Sequence, residues 1–347
     1  MSTMTVLYDR FVVQRDHLPL GTRIACTFAA VVALHVLSVG LLSTSWVSGA
    51  PALAAGTVLT AYLAGLKHSY DWDHVAAIDN SVRKFVNEGG NPASVGFAFS
   101  LGHSTVVTLA GALVVAGAHF MQGAFAEGGT ANRVLGLVGM GVSGTYLLLL
   151  GLFNAAVALR LWRGLRGGPI PGGHRHDLDQ AGGLVARLLA RPLRRVRRPR
   201  DVFVIGFLFG LGFDTATTIG LLLLTVGASL AGVPPLALLG LPVAFTAAMT
   251  LCDSLNGLGM MHLYRSATLG AGQRLRFNAV VTTVSAVSAL FIATITLGSF
   301  AHDLLGLDDP LTTVLAGVDL GDAGLGLVAV FALLWAGHRM LARRGAC

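Results

Sequence analysis

The run LAAGTVLTAYLAGLKHSYDWDH, residues 53–74, joins two kinds of chemistry. From Leu53 to Leu66 it contains no charged residue. From His68 to His74 it carries two histidines and two aspartates. Whether the first part is a soluble core helix or a membrane helix decides the fold, and the flanking sequence answers. Of 347 residues, 54% are hydrophobic and 12% charged, against about 25% charged in soluble domains. The mean hydropathy is +0.71. The apolar residues come in long blocks rather than at amphipathic spacing, and a transmembrane helix needs roughly 20 of them. The chain reads as an all-α polytopic membrane protein.

Eight apolar spans are expected, near residues 24–46, 52–80, 95–118, 134–160, 202–230, 235–262, 278–301 and 318–341. They form a single membrane transport domain covering 1–347. A short segment, 1–23, precedes the first span, and a basic loop, 162–201, joins spans four and five. The first apolar stretch is long for a signal peptide and reads as a retained helix. With both termini in the cytoplasm, the inside segments hold Arg10, Arg15, Arg23, Arg83, Lys84, the arginines from Arg160 to Arg200, Arg265, Arg274, Arg276, Arg339, Arg343 and Arg344. Only Arg133 and Lys67 fall elsewhere, a bias that matches the positive-inside rule. The net charge of +7 is therefore read as loops that set topology beside anionic lipid, not as a nucleic-acid surface. Cys26, Cys252 and Cys347 form no pairing or zinc motif.

An internal echo links GFAFSLGHSTVVTLA (96–110) to GFLFGLGFDTATTIG (206–220). It is open to two readings. Either it marks structural repeats, whose interface holds the substrate in many transporters, or it reflects small residues needed for close helix packing.

An ionisable side chain near the bilayer centre costs roughly 2.5–3.5 kcal/mol on insertion scales, so such residues mark function by default. Here they are His68, Asp71, Asp73, His74 and Asp79 in span two, His103 in span three, Asp214 in span five and Asp253 in span six. His35 and His262 stand alone and are read as helix–helix hydrogen bonds. In the loop, His174 and His176 make a weak metal-collecting pair at most. Mixed imidazole and carboxylate suits Ni²⁺, Co²⁺ or Zn²⁺, whereas Mg²⁺ and Ca²⁺ prefer oxygen alone. The competing reading is a buried His–Asp network that only locks helices together, and the density of groups in span two argues against it. At about 100° per residue, Asp73 lies about 140° and His74 about 240° around the axis from His68. One straight helix cannot turn all three toward one ion. Span two must break, or neighbours must supply ligands, with His103 the obvious donor.

HSYDWDHVAAIDN resembles the hallmark of the nickel/cobalt transporter family. FSLGHSTVV, LGFDTAT, LCDSLNG and RFNAVVTTVSA follow in that family's order, from about residue 55 to 295. The resemblance implies a secondary permease of the cytoplasmic membrane that takes up Ni²⁺ or Co²⁺. It carries over His68, Asp73 and His74, with Asp79 and Asn80 just after them, and His103, Asp214 and Asp253. The expected metal ligands are His68, Asp73, His74 and His103; Asp71, Asp79, Asn80, Asp214 and Asp253 are expected to support them or couple helices. Two departures stand out: Thr218 and Asn256 occupy positions where the family carries acids.

No permanent cofactor is expected. The partners are the divalent metal ion and lipid, with no nucleic acid and, since the chain has no Walker motif, no obligate ATPase subunit. The alternatives are an exporter of the same metals and an intramembrane metalloenzyme. Against the enzyme stand the missing His-Glu-x-x-His run and the small number of histidine pairs.

Overall fold

The computed structural model describes residues 18–47, 53–116, 130–166, 196, 198–211, 216–265, 271–307 and 309–318, and isolated positions between 326 and 336. Among these every regular element is an α-helix: α1 (Leu20–Val47), α2 (Ala55–Ser69), α3 (Trp72–Asn87), α4 (Val95–Ala116), α5 (Thr130–Leu165), α6 (Pro199–Gly210), α7 (Ala216–Leu230), α8 (Pro235–Arg265), α9 (Ala271–Leu305) and α10 (Pro310–Ala316). Five are long and apolar enough to cross a membrane: α1, α4, α5, α8 and α9. The chain is thus a multi-pass membrane protein.

Expected span two divides into α2 and α3. Helices α6 and α7 both fall in expected span five, with 212–215 between them outside the described residues. The eighth, 318–341, lies almost wholly outside the described residues. So does most of the basic loop.

The helices sort by face. α1 turns Val32, Val36, Leu37 and Val39 outward, as a lipid-facing helix does. α3 is the opposite case: it packs against α4, α5, α8 and α9, and Val75, Ala76, Ala77, Ile78 and Val82 are buried together with Asp79, Asn80, Ser81, Arg83 and Lys84. Arg83 and Lys84, assigned to an inside loop by charge alone, are therefore interior groups with partners. The Arg83 guanidinium donates to Thr282 Oγ1 at 2.6 Å and Ser285 Oγ at 2.8 Å on α9. Lys84 donates to Glu88 and to the Val196 carbonyl, each at 2.7 Å. Helix α3 ends at Asn87, and just beyond it Gly89 takes a φ of 71° that suits a residue without Cβ. The Gly90 N–H reaches back to the Phe85 carbonyl at 2.7 Å and closes the last turn.

Glycine sets the helix spacing. A Cβ added at Gly65 would overlap the Phe245 backbone, one at Gly96 the Asp253 carbonyl, one at Gly102 the Phe203 carbonyl and one at Gly206 the Phe99 carbonyl. Backbone thus meets backbone between α2 and α8, α4 and α8, and α4 and α6. Gly96 and Gly206 hold equivalent positions in the internal echo, and both sit at such contacts. Close packing therefore accounts for part of the similarity. The stretch 96–110 is unbroken α4, and the described parts of 206–220 lie in or beside α6 and α7.

Candidate metal centre

The break in span two comes from a few backbone angles. Tyr70 caps α2 at φ −97°, ψ 3°, and Asp71 then extends at ψ 134° before α3 begins. Tight turns mark the transition: Tyr70 N–H to the Lys67 carbonyl and Asp71 N–H to the His68 carbonyl, both at 3.0 Å. Asp71 stands at the N-cap of α3 but makes no side-chain cap. Its carboxylate instead takes His68 Nδ1 at 2.7 Å. In the first turn of α3, Asp73 Oδ1 accepts the His74 N–H at 2.8 Å, where a helix N-terminus favours negative charge.

The result is a triad of imidazoles. Ring centroids lie 4.6 Å apart for His68 and His74, 4.8 Å for His68 and His103, and 4.6 Å for His74 and His103. One nitrogen from each lies within 4.8 Å of the others, and this is the group of such ligands that converges among the described residues. His68 Nε2 and His103 Nε2 are 2.9 Å apart. Two nitrogens bound at right angles to one first-row ion, with bonds of about 2.1 Å, would be separated by about 3 Å. All three rings are buried. Neither nitrogen of His74, nor Nδ1 of His103, has a hydrogen-bond partner. Buried polar atoms are otherwise almost always paired, so these nitrogens are arranged for something other than protein.

Second contacts orient the triad. With Asp71 accepting from Nδ1–H, His68 presents the Nε2 lone pair inward, the arrangement that metal-binding histidines use. Asp253 Oδ2 of α8 stands 3.6 Å from His74 Nδ1, fully buried. Asp73 lies outside the converging nitrogens yet adds negative charge beside His68 and His74. Phe99 meets the edge of His74 at 5.0 Å between centroids and Phe245 lies 5.5 Å from His68, giving apolar walls.

The remaining expected residues are spread further. Asp79 and Asn80 sit deeper on α3. Asn80 accepts from Asn154 of α5 and donates to the Ala76 carbonyl. Asp79 accepts from the Tyr264 hydroxyl of α8. Asp214, His174 and His176 lie outside the described residues. Of the two departures, Thr218 is buried and Asn256 keeps an unpartnered Nδ2. His35 bonds to the Val31 carbonyl and Tyr62, linking α1 to α2, and His262 bonds to the Leu258 carbonyl. Sequence reasoning weighed Cys252 only as a pairing or zinc-motif cysteine; its buried thiol neighbours Ser69 and Tyr70 at the break. Its place directly before Asp253 was the available signal. Asn154 and Tyr264 were passed over, and only a three-dimensional structure sets them against α3.

The sequence matches the family model described as high-affinity nickel-transport protein over residues 54–341. It is 38% identical to the nickel transporter NicT of Mycobacterium tuberculosis over 90% of this chain and 87% of that protein. It is 34% identical to the high-affinity nickel-transport protein NixA of Helicobacter pylori, over 90% and 95%. The same identity holds with the cobalt transport protein NhlF of Rhodococcus rhodochrous, over 91% of each chain. No solved structure matches the chain.

Proposed function

The chain belongs to the high-affinity nickel-transport family, and from that premise we propose that it takes up Ni²⁺ or Co²⁺ across the cytoplasmic membrane through the His68–His74–His103 triad. The family is one of metal transporters rather than enzymes, and the divalent ion is the substrate.

The observation that carries the site is the convergence of three buried imidazoles, with both nitrogens of His74 and Nδ1 of His103 lacking a hydrogen-bond partner. His68, His74 and His103 supply nitrogen. Asp71 fixes the His68 tautomer. Asp73 and Asp253 supply charge that offsets a divalent cation. Three imidazoles with carboxylates alongside suit a borderline first-row ion. Both termini lie inside in this reading, so α2 enters from the outer face and α3 leads inward. Asp214 acts in helix coupling or the ion path.

The test is uptake of radiolabelled nickel and cobalt by cells with and without the chain. Expression should raise accumulation of at least one ion, and His68→Ala or His74→Ala should return it to background. Wild-type uptake by either variant would refute the site. Lowered accumulation on expression would instead indicate export.

A further inference from the structure

The histidines of the triad are not supported alike. His68 takes its carboxylate from its own segment, where Asp71 meets Nδ1 at 2.7 Å. For His74, the neighbouring Asp73 has one oxygen on the backbone N–H. The carboxylate that faces the His74 ring comes instead from α8: Asp253 Oδ2 stands 3.6 Å from Nδ1, just beyond hydrogen-bond length. Asp253 is fully buried. The Ser100 hydroxyl of α4, buried as completely, adjoins that carboxylate, and neither group has a hydrogen-bond partner elsewhere. The sequence explains why they meet. Gly96 lets α4 come so close to α8 that a Cβ there would overlap the Asp253 carbonyl. Ser100 follows Gly96 by one turn, about 40° around the axis, and so enters the same contact. Thr108 and Thr246, whose hydroxyls lie 3.2 Å apart, and Gly111 against the Pro242 ring continue the same antiparallel register.

We propose that Ser100, Asp253 and His74 form a positioning relay across α4, α8 and α3. Ser100 donates to one oxygen of Asp253, the other oxygen accepts Nδ1–H of His74, and His74 then presents its Nε2 lone pair to the ion. The inference rests on the triad reading above and deepens it. It assigns the donor atom of His74, and it gives Ser100 the task of aiming the carboxylate.

The chemistry works in both directions. A ring that donates Nδ1–H to a carboxylate is more basic at Nε2 and holds a metal more firmly. An ion on Nε2 in turn withdraws charge from the ring and makes Nδ1–H a stronger donor, which draws the 3.6 Å pair together. A buried carboxylate left without donors is costly, and the relay gives Asp253 two. The two supported histidines also differ in what they depend on. The His68–Asp71 pair spans a single turn of chain and moves as a unit. The His74–Asp253 pair holds only while α3 and α8 keep their spacing, so the relay ties nickel affinity to the packing of these two helices.

The experiment pairs nitrogen NMR of the purified full chain, labelled at histidine and free of added metal, with nickel binding by the same protein. The His74 signals are assigned by their loss in His74→Ala. Wild type should show His74 as the Nδ1–H tautomer, and Asp253→Leu and Ser100→Ala should each shift it toward Nε2–H. Asp253→Leu should weaken nickel binding about 10–100-fold. Asp253→Asn, which keeps an acceptor oxygen but no charge, should lose distinctly less, and Ser100→Ala should lose several-fold. An Nε2–H tautomer in wild type overturns the proposal. So does equal loss of affinity in Asp253→Asn and Asp253→Leu, which would leave Asp253 as charge alone. If the Asp253 variants do not fold, an unchanged His74 tautomer in Ser100→Ala overturns it instead. A wild-type chain with no nickel binding that His74→Ala removes would sink the triad reading, a distinct failure that the tautomer measurement does not share.

Discussion

In the first turn of α3, His74 is buried with neither ring nitrogen hydrogen-bonded. Two turns on, Asn80, Ser81 and Lys84 are buried as deeply, yet each is tied to another part of the molecule: Asn80 to Asn154, Ser81 to Tyr146 at 2.8 Å, Lys84 to Glu88 and the Val196 carbonyl. One helix thus buries polar side chains in two ways. The paired groups fasten α3 among its neighbours, where lipid offers no hydrogen bonds to replace lost ones. His74, unpaired at both nitrogens, carries a burial cost that the hydrogen bonds of the protein leave unmet. The contrast distinguishes the candidate site from the fastening groups without reference to any relative.

The sharpest way to break the contrast is to cut one group of each kind. His74→Ala should abolish nickel and cobalt uptake while thermal unfolding in detergent stays near wild type. Asn154→Leu should do the reverse, losing about 1 kcal/mol of stability, the scale of interhelical hydrogen bonds in membranes, with nickel affinity retained. If His74→Ala unfolds and Asn154→Leu loses metal, the two kinds of burial have been assigned the wrong way round. A smaller effect is expected at the edge between them. Asp71→Asn should weaken nickel binding about 10–100-fold, the usual cost of removing a group that orients a ligand histidine. Binding by that variant at wild-type affinity would show that His68 needs no carboxylate. Acidification should lower uptake in all forms that transport, because a protonated imidazole has no lone pair to give. Uptake that rises steadily as pH falls would argue for proton-driven steps outweighing ligand loss.

Much of this was legible before any coordinates. The apolar blocks mark the long helices, and the density of His and Asp after Leu66 marks the candidate site. Helical arithmetic on His68, Asp73 and His74 called for a break in span two or for ligands from neighbouring helices; span two breaks at Tyr70–Asp71, and His103 comes from α4. What stayed hidden was mostly long-range. Arg83 looked like a loop charge because the hydroxyls that receive it, on Thr282 and Ser285, are some two hundred residues away. Spacing also left open which aspartate meets His68. The extended ψ of Asp71 decides that locally, turning its carboxylate to the ring while Asp73 falls in the first turn of α3.

The finest test of the contrast leaves both kinds of polar group untouched and moves the backbone beneath one of them. A Cβ at Gly210 of α6 would lie 2.7 Å from the His103 carbonyl oxygen and 3.1 Å from Val106. The first is tighter than real contacts allow, so α4 must shift at the residue that completes the triad. His103 contributes one of the two nitrogens that face each other at 2.9 Å, and coordination tolerates errors of only about 0.2 Å. Gly210→Ala should therefore weaken nickel binding several-fold while leaving the Asn80–Asn154 and Lys84–Glu88 pairs, and hence most of the stability, in place. Gly220→Ala on α7, where nothing lies within 4 Å of the added Cβ, serves as the matched control and should bind as wild type. Equal nickel affinity in both variants would mean that the triad adjusts freely to movement of α4, and that its spacing is not set by how closely α4 and α6 pack.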